Sequence, residues 1–110
     1  MSLMYFNARS LRNKIEKLRI AVQTLNPDII CIVETWLSEE IFDSEIYLEK
    51  YNFIRIDRIN NQKDRGGGVL VYIKENLSFV NCTDEYCFNI DCIWVKIRSK
   101  KLLCHSRGFL

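Results

Sequence analysis

The chain has 110 residues, of which 48% are hydrophobic and 27% are charged, with a formal net charge of +2. This is the composition of one globular domain or a part of one, and it excludes a disordered or low-complexity chain. No apolar run approaches the roughly 20 residues of a membrane helix, and the N-terminus lacks the pattern of a secretory signal, so we expect an intracellular protein with no membrane partner.

The first part of the sequence switches from a strand pattern to a helix pattern and back. Residues 3–7 are a short apolar run that stops at Asn7, which predicts a strand. Apolar residues then recur at helical spacing, which predicts a helix over residues 11–25 that ends before Pro27. Residues 28–34 contain a continuous apolar run, which is typical of a strand buried on both faces. The pattern therefore predicts two parallel strands connected by a helix.

The remainder of the chain favours antiparallel strands. We predict a short helix over residues 39–48, followed by strands over residues 51–58, 69–74, 77–82 and 90–98. Residues 57–69 are interpreted as a hairpin with a projecting polar loop, in which the glycine triplet 66–68 adopts positive φ angles. The order of the elements predicts an α/β fold, the N-terminal part of a two-sheet α/β sandwich with mixed sheets and outer helices.

The five cysteines are an odd count in a chain without a recognisable signal peptide. This favours a reducing compartment and five free thiols. Four residues separate Cys82 from Cys87 and Cys87 from Cys92, which is the long end of the Cys-x2–4-Cys spacing of zinc sites, and we predict no zinc. The cysteines are Cys31, Cys82, Cys87, Cys92 and Cys104.

Polar residues stand where the two predicted parallel strands end. Asn7 ends the first strand and Glu34 ends the second, and the ends of parallel strands lie at one edge of a sheet, where α/β proteins place their sites. A carboxylate there is costly to desolvate unless something pairs with it, and Mg²⁺ is one such partner. A second interpretation stays open, in which Asn7 caps a turn and Glu34 pairs with a surface lysine or arginine.

Basic residues surround this edge and the predicted hairpin. Arg9 follows the first strand, and Arg55, Arg58 and Arg65 flank the polar loop. Contacts with nucleic-acid phosphates are one interpretation of Arg9, Arg58 and Arg65. Solvated side chains are the other interpretation.

Four short motifs, in order along the chain, identify a family. They are Phe6-Asn7-Ala8-Arg9-Ser10-Leu11, Glu34-Thr35-Trp36-Leu37, Arg55-Ile56-Asp57-Arg58 and Gly66-Gly67-Gly68-Val69. Together they resemble the endonuclease/exonuclease/phosphatase family, and most closely the endonuclease domain of non-LTR (LINE-like, jockey or CR1-type) retrotransposons. The resemblance covers residues 4–98, so we interpret residues 1–110 as an incomplete domain of this family with a divergent tail at 99–110.

The resemblance implies a Mg²⁺-dependent endonuclease that nicks target DNA by hydrolysing a phosphodiester bond. It implies that Glu34 is a catalytic residue that binds the metal, and that Asn7 belongs to the same metal site and helps to position the phosphate. DNA is then a partner, together with the remainder of the endonuclease domain and a reverse transcriptase in an intact element. A functional protein of this kind acts in the nucleus.

The family's later motifs are absent from this sequence: an active-site tyrosine, a Gly-Asp-Phe-Asn segment and a terminal Ser-Asp-His. We therefore expect a fragment of the endonuclease that is inactive alone and that exposes apolar residues such as Ile93, Val95 and Ile97. Two alternatives remain open. One is a non-catalytic nucleic-acid-binding or interaction module, and the other is a phosphodiesterase of the same superfamily that acts on phosphoinositides or sphingolipids.

Overall fold

The computed structural model of the chain describes residues 1–57, 67–83 and 92–105, together with the backbone of residues 108–109. Helix α1 spans Ile15–Leu25. The strands are β1 (Leu3–Asn7), β2 (Ile29–Val33), β3 (Tyr51–Ile56), β4 (Val69–Lys74), β5 (Val80–Asn81), β6 (Cys92–Ile97), β7 (Lys100–His105) and β8 (Gly108–Phe109). Within these ranges, no helix has both the length and the apolar character that crossing a membrane requires.

The strands form two sheets. The first has the order β1-β2-β4-β3, and the second has the order β5-β6-β7-β8. In the first sheet β1 runs parallel to β2, whereas β4 runs antiparallel to both β2 and β3. The pairs in the second sheet are antiparallel. The predicted α/β class and two-sheet sandwich are confirmed, with one mixed sheet and one antiparallel sheet.

Strand β2 is buried on both faces, as its apolar run predicts. Ile30 and Ile32 face an outer core that contains the buried side of α1, while Ile29, Cys31 and Val33 face an inner core between the two sheets. Each large aliphatic side chain buried in this way stabilises the fold by about 1.5–3 kcal/mol. The strand therefore anchors both layers, and its end is a rigid position for a functional side chain.

The helix that follows β1 begins later than predicted. Leu11–Asn13 form a 3₁₀ turn, and α1 starts only at Ile15. The cause is a tertiary hydrogen bond, since the backbone N–H of Leu11 donates to the carbonyl of Thr35 (2.9 Å) and ties the chain to the end of β2. At its other end α1 closes on Asn26, which is left-handed (φ 47°).

The predicted helix over residues 39–48 is wrong. The segment contains only a 3₁₀ turn at Asp43–Glu45. Arg55 explains the difference, because its guanidinium donates to the carbonyl oxygens of Ser38 (3.0 Å) and Ile41 (2.8 Å). An α-helix would use those carbonyls internally.

The predicted exposure of Ile93, Val95 and Ile97 is also wrong. These side chains are 0%, 2% and 1% exposed, because they form the inner core against β2 and β4. Apolar residues that are exposed include Leu3 (44%) and Tyr5 (41%) on β1, Ile20 (65%) on α1 and Phe42 (69%) before β3.

The prediction of five free thiols is contradicted by a disulfide between Cys31 and Cys104, whose Cα atoms are 5.8 Å apart. The bond joins β2 to β7 across the inner core, between residues separated by 73 positions in sequence. Cys92 is disulfide-bonded as well, while Cys82 is free and buried. Sequence spacing could not reveal this pairing, because only the stacking of the two sheets brings Cys31 and Cys104 together.

Candidate active site

Three chain segments meet at one edge of the first sheet. Strand β1 ends there at Asn7, which is aligned with Val33 at the end of the parallel strand β2. Strand β4 begins at the same edge, since its first residue, Val69, is also aligned with Val33. The structure therefore places Asn7 and Glu34 at the same edge, on neighbouring strands.

Backbone hydrogen bonds continue past the strand ends and join the three segments. The N–H of Ala8 donates to the carbonyl of Val33 (2.9 Å), and the N–H of Ser10 donates to the carbonyl of Glu34 (3.1 Å). On the other side, the N–H of Trp36 donates to the carbonyl of Gly67 (3.0 Å). These bonds hold the loops after β1 and β2 and the entry to β4 as one unit.

The loops at this edge contain several left-handed residues that are not glycine. Arg9 has a φ of 45°, Ser10 of 88°, Glu34 of 53° and Trp36 of 54°. Each such conformation costs of the order of 1–3 kcal/mol and persists only where the surrounding structure imposes it. Strained backbone of this kind is typical of functional sites.

Glu34 has a half-buried carboxylate that is held by two donors. Its Oε2 accepts a hydrogen bond from the indole Nε1–H of Trp36 (2.8 Å) and another from the backbone N–H of Gly67 (3.0 Å). Hydrogen bonds to an ionised group are shorter and stronger than neutral ones.

Tyr5 and Asn7 lie on the same side of β1, because strand residues alternate between faces. Both are exposed. Burial raises the pKa of the Tyr5 phenol above its ordinary value, and the negative charge of Glu34 raises this pKa further. The electrostatic influence of Glu34 therefore extends to β1.

Gly68 allows the entry to β4 to approach the loop after β2. Its φ is +94°, and a Cβ at this position would lie 2.3 Å from the Oγ1 of the buried Thr35. The prediction of positive φ angles is confirmed for Gly67 (88°) and Gly68, while Gly66 lies outside the described residues. Sequence reasoning had not foreseen the close approach, through which the backbone of Gly67 reaches Glu34.

The predicted DNA-contacting arginines have different outcomes. Arg9 is exposed and lies in the loop after β1, at the edge that carries Glu34. Arg58 and Arg65, and the polar loop that they flank, lie outside the described residues. The strands on either side of that loop do pair antiparallel, with Ile56 aligned to Val69.

Arg55 is part of the scaffold. Its guanidinium forms an ion pair with Asp57 (2.6 Å) and another with Asp43 (3.0 Å). The hydrogen bond to Asp57 is the main cause that raises the pKa of Arg55. Because both acids and two carbonyls occupy the guanidinium, Arg55 positions the segment before β3 and is not free to bind phosphate.

Glu34 and Asn7 provide a carboxylate and an amide oxygen, which are the kinds of donor that Mg²⁺ prefers. These residues fit part of a magnesium site, which would be completed by other ligands, water and phosphate oxygens. Asp57 follows β3 at the same edge, but Arg55 binds its carboxylate. Within the described ranges, no three His, Cys, Asp or Glu side chains cluster as a metal site.

Sequence reasoning missed Trp36, Gly67 and Thr35 as parts of this site. A signal was available, because Thr35 and Trp36 directly follow Glu34 in its motif and Gly67 belongs to the glycine triplet. Only the structure shows that the loop after β2 and the segment before β4 are joined by hydrogen bonds between these motifs.

Several solved structures share the fold of this chain, among them AP endonucleases and a 3' phosphatase. An AP endonuclease from Archaeoglobus fulgidus is 19% identical, and the match covers 94% of this chain and 39% of that one, with a TM-score of 0.64. The 3' phosphatase NExo from Neisseria, solved with a product DNA hairpin, is 15% identical over 94% of this chain and 40% of its own, also with a TM-score of 0.64. The AP endonuclease LMAP from Leishmania major is 22% identical, and the match covers 73% of this chain and 27% of that one, with a TM-score of 0.59.

The chain thus spans less than half the length of each of these proteins, and at such identities the likeness concerns the fold. No relative with a curated description matches the sequence. The profile of the endonuclease/exonuclease/phosphatase family matches residues 4–108, which includes strand β7 and most of the tail beyond residue 98. The chain belongs to the endonuclease/exonuclease/phosphatase family.

Proposed function

We propose that this chain is the N-terminal part of a Mg²⁺-dependent DNA endonuclease of the retrotransposon type. In this proposal the protein hydrolyses a phosphodiester bond to nick target DNA. Its further partners are the remainder of the endonuclease domain and a reverse transcriptase, and it acts in the nucleus. The retrotransposon assignment rests on the four sequence motifs.

The observation that carries the proposal is the state of Glu34. Its carboxylate is half-buried at the edge where β1 and β2 end, and it is held by two N–H donors in a strained loop. A fixed carboxylate at such an edge is suited to bind a hard cation together with phosphate oxygens. A bound Mg²⁺ would stabilise negative charge on the phosphate.

The residues of this chain have distinct tasks in the proposal. Glu34 binds the cation, and the amide of Asn7 on the neighbouring strand donates a hydrogen bond to a phosphate oxygen. Arg9 contributes positive charge at the same edge for the DNA backbone. The general base that activates water belongs to the remainder of the domain.

DNA is the proposed substrate for two reasons. The motifs favour the retrotransposon branch, and the structures with this fold include AP endonucleases and an enzyme solved with a DNA hairpin. The same motifs favour this branch over the phosphoinositide or sphingolipid alternative.

The proposal can be tested with Mn²⁺, a paramagnetic substitute for Mg²⁺. Titration of the isotope-labelled chain should broaden the backbone amide signals around Asn7 and Glu34, and Glu34→Gln should abolish this effect. Glu75→Gln is the matched control, because Glu75 is an exposed carboxylate just after β4, at the opposite edge of the sheet.

A DNA titration distinguishes the alternatives. If a short duplex binds in a salt-dependent manner but Mn²⁺ causes no broadening at Glu34, a non-catalytic binding module is the better interpretation. The absence of both effects would contradict the nuclease proposal.

A further inference from the structure

Trp36 combines features that packing does not explain. Its side chain is 42% exposed, so burial in a core does not account for a large aromatic residue at this position. Its φ of 54° lies in the left-handed region, which bulky side chains rarely adopt. An exposed aromatic residue in a strained conformation points to a role beyond packing.

Hydrogen bonds connect Trp36 to the candidate metal ligand. The indole Nε1–H donates to the Oε2 of Glu34 (2.8 Å), and the backbone N–H donates to the carbonyl of Gly67 (3.0 Å). The N–H of Gly67 donates to the same Oε2 at 3.0 Å. The three bonds form a closed ring in which each residue is bonded to the other two.

This ring restrains the carboxylate more than one bond would. A single donor lets a carboxylate swing about its last side-chain torsion, which is broad. Two donors that converge on one oxygen define the direction of the group. The Gly67 donor is a backbone N–H just before β4, so it has no side-chain torsion of its own, and the indole N–H provides the second direction.

We propose that Trp36 is a positioning residue for Glu34: its indole N–H holds the carboxylate in the orientation that receives a divalent cation. The inference deepens the proposed function and rests on it. Donors behind a metal ligand commonly contribute about 10-fold to 100-fold in metal affinity. We therefore expect Trp36→Phe, which keeps an aromatic ring and removes the N–H, to weaken Mn²⁺ binding by about 10-fold.

The hydrogen bond itself can be tested without metal. The chain contains two tryptophans, so its indole N–H region should show two NMR cross-peaks, and Trp36→Phe assigns the one from Trp36. We expect the Trp36 peak to move upfield and to exchange faster with water in Glu34→Ala. Glu34→Gln should give a smaller change, because its amide oxygen remains an acceptor but lacks the charge.

Trp94 serves as the internal control, and its indole peak should stay in place in both Glu34 variants. An unchanged Trp36 peak in Glu34→Ala would overturn the inference, even if Trp36→Phe failed to fold. Unchanged Mn²⁺ affinity in a folded Trp36→Phe variant would overturn it as well. A lack of Mn²⁺ broadening at Glu34 in the unaltered chain would contradict the proposed function, while the indole shift would still decide whether Trp36 orients Glu34.

Discussion

At the scale of single residues, the candidate site depends on close approach as much as on chemistry. The N–H of Gly67 can donate a hydrogen bond to the carboxylate of Glu34 only because the neighbouring Gly68 has no side chain to collide with Thr35. The glycine motif and the glutamate motif are thus parts of one arrangement. A change in either is expected to disturb both.

Gly68→Ala should destabilise the fold. The new Cβ would collide with the Oγ1 of Thr35 at 2.3 Å and would occupy a φ of +94°, which together should cost about 1–3 kcal/mol of unfolding free energy. Urea unfolding measures this loss. In a Thr35→Ala background the same substitution should cost less, because the collision with Oγ1 is gone, and an equal cost in both backgrounds would refute the explanation.

Glu34→Gln should lower the pKa of Tyr5. Burial is the larger cause of the raised pKa and the charge of Glu34 is the smaller one, so the pKa should fall without reaching its ordinary value. A group with a raised pKa in the fold stabilises the protein below the unfolded pKa of about 10, and this contribution is lost as pH rises through the folded pKa.

NMR titration of the tyrosine rings measures the change. Tyr51 is the matched control, because burial and the charge of Asp28 raise its pKa. The pKa of Tyr51 should be the same in Glu34→Gln and in the unaltered chain. A Tyr5 pKa that does not respond to Glu34→Gln would show that the two side chains are electrostatically independent.

At the scale of elements, β2 is the centre of the chain. It pairs with β1 and β4, contributes to both cores and carries the cysteine that is bonded to β7. The loop that contains Glu34 follows directly from it. Stability of β2 and geometry of the candidate site are therefore linked.

Removal of the disulfide between Cys31 on β2 and Cys104 on β7 should lower the free energy of unfolding. Cys104→Ser should reduce the free energy of unfolding by about 2–4 kcal/mol, since a cross-link between distant residues restricts the unfolded chain. Denaturant unfolding measures the loss. Cys82→Ser is the control, because Cys82 is a free cysteine and its substitution breaks no disulfide.

Thiol counting in denaturant gives an independent check of that cross-link. In Cys104→Ser the thiols of Cys31 and Cys82 should both be free. In Cys82→Ser neither should react, so the two thiol counts should differ by two. If all five thiols of the unaltered chain react before any reductant is added, the disulfide between Cys31 and Cys104 is refuted.

At the scale of the whole molecule, the chain forms two stacked sheets with a closed inner core between β2, β4 and β6. The face of β1 that carries Leu3 and Tyr5 is open in comparison. The structures that share the fold are more than twice as long as the part that this chain covers. This chain thus contains both hydrophobic cores and the candidate site, although it spans less than half the length of those proteins.

The 110-residue chain alone should not nick DNA. The reaction requires a general base and several metal ligands, and the described residues contain no cluster of three His, Cys, Asp or Glu side chains for a metal. A supercoiled-plasmid assay with Mg²⁺ should show no difference between the chain and Glu34→Ala. Nicking that disappears in Glu34→Ala would contradict this expectation and show that the chain completes a site by itself.

The sequence determined the parts of the fold that local patterns encode. The apolar run of β2 predicted a strand buried on both faces, the helical spacing before Pro27 predicted α1, and the motifs predicted the family. The connection β1-α1-β2 also predicted that Asn7 and Glu34 would lie at one edge, because parallel strands end on the same side of a sheet. The roles of these two residues remain predictions.

Only the tertiary structure decided the features that depend on contacts between distant segments. Arg55 replaced a predicted helix by binding its carbonyls, the stacking of two sheets joined Cys31 to Cys104, and left-handed Arg98 and Ser99 allowed the turn into β7 without the usual Asn-Gly signal. The bonds from Trp36 and Gly67 to Glu34 belong to the same class. Such contacts are decided when cores close and loops meet, and the spacing of residues along the chain carries no direct signal of them.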